Sequence, residues 1–228
     1  MTAPFAWALG TLLVLLAGTS LLDRHLRRAC LTFIAFALSM ALAWWWLAAP
    51  WLALAEALLG ALMTGAALLH ALGRAGDVPR LPARDDTPRH RDEAPAHWLA
   101  ALAWLALTAL AVGWLLGAEA QLPPEEASVS LVPAGLLVMA LGLWAFARQR
   151  HLLRRLLAFN VLGSGVFLLL AGLGGPAIEV QGLILVGLVV ALVGSVLGAL
   201  LLRRLYALEG RVTLEKEPQA QPESEPGR

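Results

Sequence analysis

From Pro50 to Gly73 the sequence reads PWLALAEALLGALMTGAALLHALG, an apolar stretch of 24 residues with one carboxylate, Glu56, inside it. A helix of that length crosses the hydrocarbon core of a bilayer. A carboxylate there costs several kcal/mol unless it has a partner or a water-filled cavity. A carboxyl held in such a place can take up and release a proton, so the chemistry on offer is proton relay or coupling. At 100° per residue, Trp51, Leu54, Leu58, Leu62, Leu69 and Leu72 fall on one arc and Ala53, Glu56, Gly60, Thr64, Ala67 and Ala71 on the other. The bulky arc suits lipid. The small-residue arc, with Gly60 and Thr64, is a seam that lets another helix approach, so Glu56 is expected to point into protein. His70 returns to within about 40° of the Glu56 direction and is a weaker second candidate for the relay. The plainer alternative is that Glu56, about 9 Å from the outer helix end by helix rise, snorkels outward or makes a single structural hydrogen bond.

Other chemistries find no residues. There is no Cys pair or His-x-x-x-His for a metal, no glycine-rich phosphate loop and no nucleophile elbow. His25, His70, His90, His97 and His151 all fall in loops or at helix ends, which argues against a haem-ligand pair across the membrane. No catalytic centre, metal or cofactor is expected.

The elements that must position Glu56 follow from composition. With 59% hydrophobic residues, 14% charged and a mean hydropathy of +0.73, the chain reads as an all-α polytopic membrane protein. Seven apolar segments are expected, at about 4–22, 28–47, 50–73, 97–117, 129–147, 153–173 and 180–205. Every Lys and Arg falls after segment one, three, five or seven, while the opposite loops carry only Glu119, Glu125, Glu126 and Glu179. The positive-inside rule then places the N-terminus outside and the C-terminus in the cytoplasm. Segment one has no basic residue ahead of it and a basic cluster behind it, the pattern of a retained helix and not of a signal peptide. Trp7, Trp44, Trp45, Trp46, Trp51 and Trp114 are expected at the outer interface, Trp98 and Trp144 at the inner one. The lone Cys30 allows no internal disulfide.

Five modules are expected: a three-helix block at 1–73, a cytoplasmic linker at 74–96, a single helix at 97–128, a second three-helix block at 129–207 and a disordered tail at 208–228. The linker's Pro and charge content suits a flexible connector. RQRHLLRR, in the second block, is assigned to contacts with anionic lipid or a neighbouring protein, and nucleic acid is not an expected partner. Gly187, Gly194 and Gly198 form a stripe on the last segment that predicts close helix packing. Asn160, Ser164 and Ser195 are the polar atoms of the second block, free to satisfy one another or local carbonyls.

In this order the parts resemble small membrane subunits of Mrp-type cation/proton antiporters and the related membrane-bound hydrogenases. Residues 1–73 look like the three-helix MbhD module, whose pattern is roughly Pro-Asp-x-Ala-x-Thr-Glu-x-x-x-Gly. Here it reads PWLALAEALLG: Pro50, Ala53, Glu56 and Gly60 match, while Trp51 replaces the Asp and Ala55 the Thr. The segment 97–127, ending in LPPEEAS, is similar to the one-helix MbhE-like piece that follows. Residues 129–206 resemble the three-helix MrpC/NuoK type through RQRHLLRRLLAFNVLGSGVFLLL and QGLILVGLVVALVGSVLGALLLRRL. Phe167 and Val186 stand where polar residues are expected, and the two membrane carboxylates of the complex I relatives are missing.

The resemblance implies a non-redox subunit in the membrane arm of a complex I-like machine, multi-pass in a bacterial or archaeal cell membrane. Its partners would be larger antiporter-like subunits, other small membrane-arm subunits and membrane lipid, and Glu56 would be the coupling carboxylate. Two rival readings are a purely structural or assembly subunit and a free-standing small-molecule transporter. The second is the weaker, because no segment has a Gly/Pro-interrupted middle with polar groups around it.

Overall fold

The computed structural model describes residues 3–73, 81, 84–85, 131–175 and 177–210. The expected fourth segment and the C-terminal tail from 211 lie outside the described residues. Every named element among the described residues is a helix: α1 (Ala3–Leu22), α2 (Leu26–Trp46), α3 (Pro50–Leu72), α4 (Val132–Arg148), α5 (Leu152–Gly174) and α6 (Ile178–Glu209). Five of these are long and apolar enough to cross a membrane, and α4, at 17 residues, is the shorter sixth. By helix rise α4 reaches only about 26 Å.

The six helices form two rows of three. α1, α2 and α3 pack in sequence, as do α4, α5 and α6, and the rows face each other with α1 on α4, α2 on α5 and α3 on α6. The core runs along the shared faces. On α2 it is the stripe Leu26, Ala29, Cys30, Phe33, Phe36, Ala37, Met40, Ala43 and Trp44, with the three- and four-residue spacing of one helix face. α6 buries little: Leu183, Val186, Val190, Val193, Leu197 and Leu201 all point away from the bundle. In a bilayer that face meets acyl chains or another subunit.

The tightest helix pair is α4 with α5. A Cβ at Gly142 would stand 2.5 Å from the backbone nitrogen of Leu162, and one at Gly165 would overlap the Met139 backbone. Backbone cannot move aside as a side chain can, so these glycines set the distance between the two helices. The stripe expected to do this on α6 behaves differently. Gly187 meets only the ring of Phe167, Gly198 only the side chain of Leu156, and a Cβ at Gly194 would have just Phe159 nearby, at 3.7 Å. Gly187 and Gly198 thus make room for side chains of α5, at 2.5 and 2.9 Å from an added Cβ, whereas backbone approaches backbone in the α4–α5 pair.

Every described Arg lies at one end of the bundle, where α1, α3, α4 and α6 finish and α2 and α5 begin. At this basic end a polar clasp ties the rows together. His25 and Arg84 form an isolated antiparallel bridge, and the Asp85 amide donates to Arg24 O at 3.0 Å. From the other row, Arg154 donates to Asp85 Oδ2 at 2.7 Å and to Leu21 O at 2.5 Å, and Gln149 Nε2 donates to Leu21 O at 3.1 Å. Both members of the ion pair are buried, with side chains 7% and 3% exposed. Leu81 packs into the core beside them. The connector expected to be flexible is therefore fixed at these residues, and Arg154, expected to face lipid or a neighbour, is internal. Its neighbour Arg155 lies over the Phe146 ring, 4.7 Å from the centroid.

Candidate functional site

Glu56 is placed by a tight turn between α2 and α3. The amide of Ala48 donates to Trp45 O and that of Ala49 to Trp44 O, the paired bonds of a Schellman cap. Ala48 takes the left-handed position at φ 55°, where glycine is the usual occupant. Pro50 then starts α3 at a helix position that needs no N–H donor. The reversal lays the last turn of α2 against the second turn of α3. There Trp44 Nε1 donates to Glu56 Oε2 at 3.3 Å. Trp44 is fully buried and Glu56 is 2% exposed, so the pair lies inside the protein and away from lipid. Trp44 is the only hydrogen-bond donor to the carboxyl among the described residues.

α3 is not a uniform α-helix. Pro50–Ala55 and Gly65–Leu72 are α-helical, and Glu56–Thr64 between them is wound as π-helix. Its i→i+5 hydrogen bonds slip the register of everything that follows, and such segments concentrate at functional sites. The Thr64 hydroxyl donates to Leu59 O, five residues back, at 2.7 Å. Gly60 lies directly under the Glu56 side chain, and a Cβ there would overlap Oε1. The glycine thus makes room for the carboxyl to fold back along its own helix. The seam function expected of it falls to Gly65, where a Cβ would stand 2.6 Å from Ile34 Cγ1 on α2.

The register slip shows in burial. Trp51, Leu54, Leu58 and Leu62 face outward, but from the π segment onward the buried line runs Ala61, Thr64, Gly65, Leu68 and Ala71. Leu69, expected on the lipid arc with Leu72, is half-buried, as is Leu72 itself. His70 is turned toward α6. Its Nε2 accepts from Arg203 Nη1 at 2.7 Å, and the same guanidinium nitrogen donates to His70 O at 3.3 Å. By helix rise it lies roughly 20 Å along α3 from Glu56, and the structure does not bring the two together.

Across the second row, Asn160 and Ser195 form a reciprocal pair at 2.8 and 2.9 Å, bracing α5 against α6 in mid-span. Asn160 Nδ2 also reaches Leu156 O at 2.9 Å, and Ser195 Oγ reaches Ala191 O at 2.7 Å. Ser164 is buried on α5. The Asn160 and Ser195 polar atoms are thus satisfied locally. No group of three or more His, Cys, Asp or Glu able to hold a metal ion exists among the described residues.

Sequence reasoning missed Trp44 and His151. Trp44 was grouped with its neighbours at the outer interface, yet of the run Trp44–Trp46 only Trp45 is exposed. The signal available was the position of Trp44 on the buried stripe of α2. His151, at 2% exposure, sits beside the Asp85–Arg154 pair with both ring nitrogens buried and without hydrogen-bond partners among the described residues. Burial pushes its imidazole below the usual histidine range, against the pull of the Asp85 carboxylate and with a smaller push from Arg154. Only the fold places it there.

Comparison with known proteins gives two matches. Residues 11–77 match the family model MbhD, described as the D subunit of MBH, and residues 130–217 match that described as NADH-ubiquinone/plastoquinone oxidoreductase chain 4L. These ranges fall on the two parts singled out by resemblance in the sequence, so the chain joins an MbhD-like part to a NuoK-like part. No curated protein and no solved structure is significantly similar to it.

Proposed function

We propose that this chain, an MbhD-like part followed by a NuoK-like part, is a non-redox subunit in the membrane arm of a complex I-related ion-translocating assembly, with Glu56 as its coupling carboxylate. The observation that carries the reading is the join itself. One matched family is described as a subunit of a larger complex and the other as a chain of a quinone-reducing oxidoreductase. The buried carboxyl at the π segment of α3 supports the coupling role. It is enclosed by protein, has one neutral donor and sits where the helix is wound out of register. A carboxyl so placed can change protonation when the helix or its neighbours move.

In this reading the chain spans the membrane seven times, with its N-terminus outside and its basic end in the cytoplasm of a bacterial or archaeal cell. The outward face of α6 supports contact with larger antiporter-like subunits, other small membrane-arm subunits and lipid. The chain brings no catalytic centre of its own. A structural reading is favoured by one observation, the bond from Trp44, which already gives Glu56 a partner. The membrane-arm reading is tested by tagging the C-terminus, purifying the protein in mild detergent and identifying stoichiometric companions by mass spectrometry. Large antiporter-like subunits are the expected companions. A stable species containing this chain alone refutes the reading.

A further inference from the structure

Between α3 and α6, at the basic end, lies a groove of 390 Å³ lined by Ala66, Ala67, Val196, Ala199 and Leu200, with His70 and Arg203 at its rim. Arg203 is only 9% exposed, yet no carboxylate pairs with it among the described residues. Its Nη1 is engaged by the ring nitrogen and carbonyl of His70, while Nε and Nη2 donate to no described residue. A buried cation with no counter-charge is unfavourable and favours an anion at its free edge. The unused edge of the guanidinium is the fork that binds two phosphate oxygens at once. By accepting from Arg203 at Nε2, His70 keeps its own hydrogen on Nδ1, a further donor at the same rim.

Depth along α6 indicates what the anion is attached to. Residues 182–202 contain no charged side chain and by helix rise span about 30 Å, the thickness of the hydrocarbon core. Arg203 follows at once, so its guanidinium stands at the level of the phosphates. Below it the groove runs about two helical turns toward Val196, roughly 10 Å, and offers no polar group. A free anion uses the rim and leaves this apolar floor empty. A lipid uses both.

We propose that the groove binds an anionic phospholipid, its phosphate on Arg203 and His70 and the upper part of one acyl chain along Ala66, Ala67 and Val196. An anionic headgroup is required because a choline group would bring a second positive charge beside the cation it should neutralise. The site is independent of Glu56 and stands whether or not the coupling role does.

The test is native mass spectrometry of the tagged full chain, together with whatever subunits co-purify with it, in maltoside detergent with added dioleoyl phosphatidylglycerol or dioleoyl phosphatidylcholine. Wild type is expected to retain one phosphatidylglycerol in preference to phosphatidylcholine. Arg203→Gln should weaken retention about tenfold or more, the scale of losing charge-assisted hydrogen bonds, whereas Arg204→Gln, with the same charge change on an exposed residue, should not. Ala67→Phe keeps both rim residues, fills the floor and should also abolish retention. It carries the test if Arg203→Gln fails to fold. Excess inorganic phosphate should not displace the lipid. The proposal is overturned by wild type that retains no phosphatidylglycerol or does not prefer it to phosphatidylcholine, by equal effects of the two Arg variants, by retention in Ala67→Phe, or by displacement with phosphate.

Discussion

Removing the Asp85 carboxylate should loosen the joint between the two rows, and the size of the effect follows from the geometry. Asp85 accepts from Arg154 at 2.7 Å, with both side chains almost fully buried. Asp85→Ala leaves the Arg154 guanidinium buried with Leu21 O as its remaining hydrogen-bond acceptor. Breaking a buried pair by deleting one member costs about 3–5 kcal/mol, because the other charge is left uncompensated. The lone Cys30 gives a reporter: it is fully buried and belongs to the same packed cluster as Leu81 and Leu21. Cys30 lies in the second turn of α2, at the same basic end, so an opening of the two rows there is expected to expose it. At 1.4 kcal/mol per decade, the maleimide labelling rate of Cys30 should rise by about two to three and a half orders of magnitude. Adding Arg154→Met removes the stranded charge and should recover most of the loss. A rise under fivefold in Asp85→Ala, or a double variant as fast as the single, would show that the pair does not hold the rows together.

At Ala48, the left-handed cap position, Ala48→Gly should stabilise the α2–α3 turn by about 0.5–1 kcal/mol, read as a higher melting temperature, because a Cβ is disfavoured there. Gly142→Ala drives a Cβ into the Leu162 backbone and should cost about 1–3 kcal/mol. Gly194→Ala, whose added Cβ meets only Phe159 at an ordinary contact distance of 3.7 Å, should stay within about 0.5 kcal/mol of wild type in the same denaturation assay. For His151 the folded state favours the neutral ring, so the unfolded chain binds the proton first as pH falls. Stability should be level above the ordinary histidine value of 6.5 and decline below it. In His151→Leu that share of the pH dependence should disappear from melting curves taken across about pH 5–8.

How much of this was legible in the sequence depended on whether a feature repeats. Six apolar helices and the burial of Glu56 and Ala53 come from hydropathy and a 3.6-residue period, which many residues report at once. The π segment has no such signal: EALLGALMT is ordinary helical sequence, and nothing in its spacing marks the change of winding. The constant 100° still places Thr64 and Ala71 inward, where both are buried, but beyond the π segment Leu68 is buried in place of Ala67 and His70 meets Arg203. Glycines lie along both the α4–α5 pair and α6, and the sequence reading singled out only those of α6. Which one carries the close contact depends on the partner: backbone of Leu162 and Met139 in one case, bulky Phe167 and Leu156 in the other. The clasp was hidden for the opposite reason. Charge counting assigned the basic residues to topology as a set, and nothing in a set distinguishes the one Arg that meets a buried Asp 69 residues away.

The central claim is that the Glu56 carboxyl moves with the ion-translocating cycle of a parent complex. Its most direct test is proton-coupled cation flux in vesicles reconstituted with that complex, comparing wild type with Glu56→Gln. Gln keeps the shape and can still accept from Trp44 Nε1, so assembly and stoichiometry should be unchanged. Flux should fall by about 10²-fold, the scale on which loss of a proton-transferring side chain slows a step. A fully assembled Glu56→Gln complex with wild-type flux would contradict the account and leave Glu56 as a structural partner of Trp44.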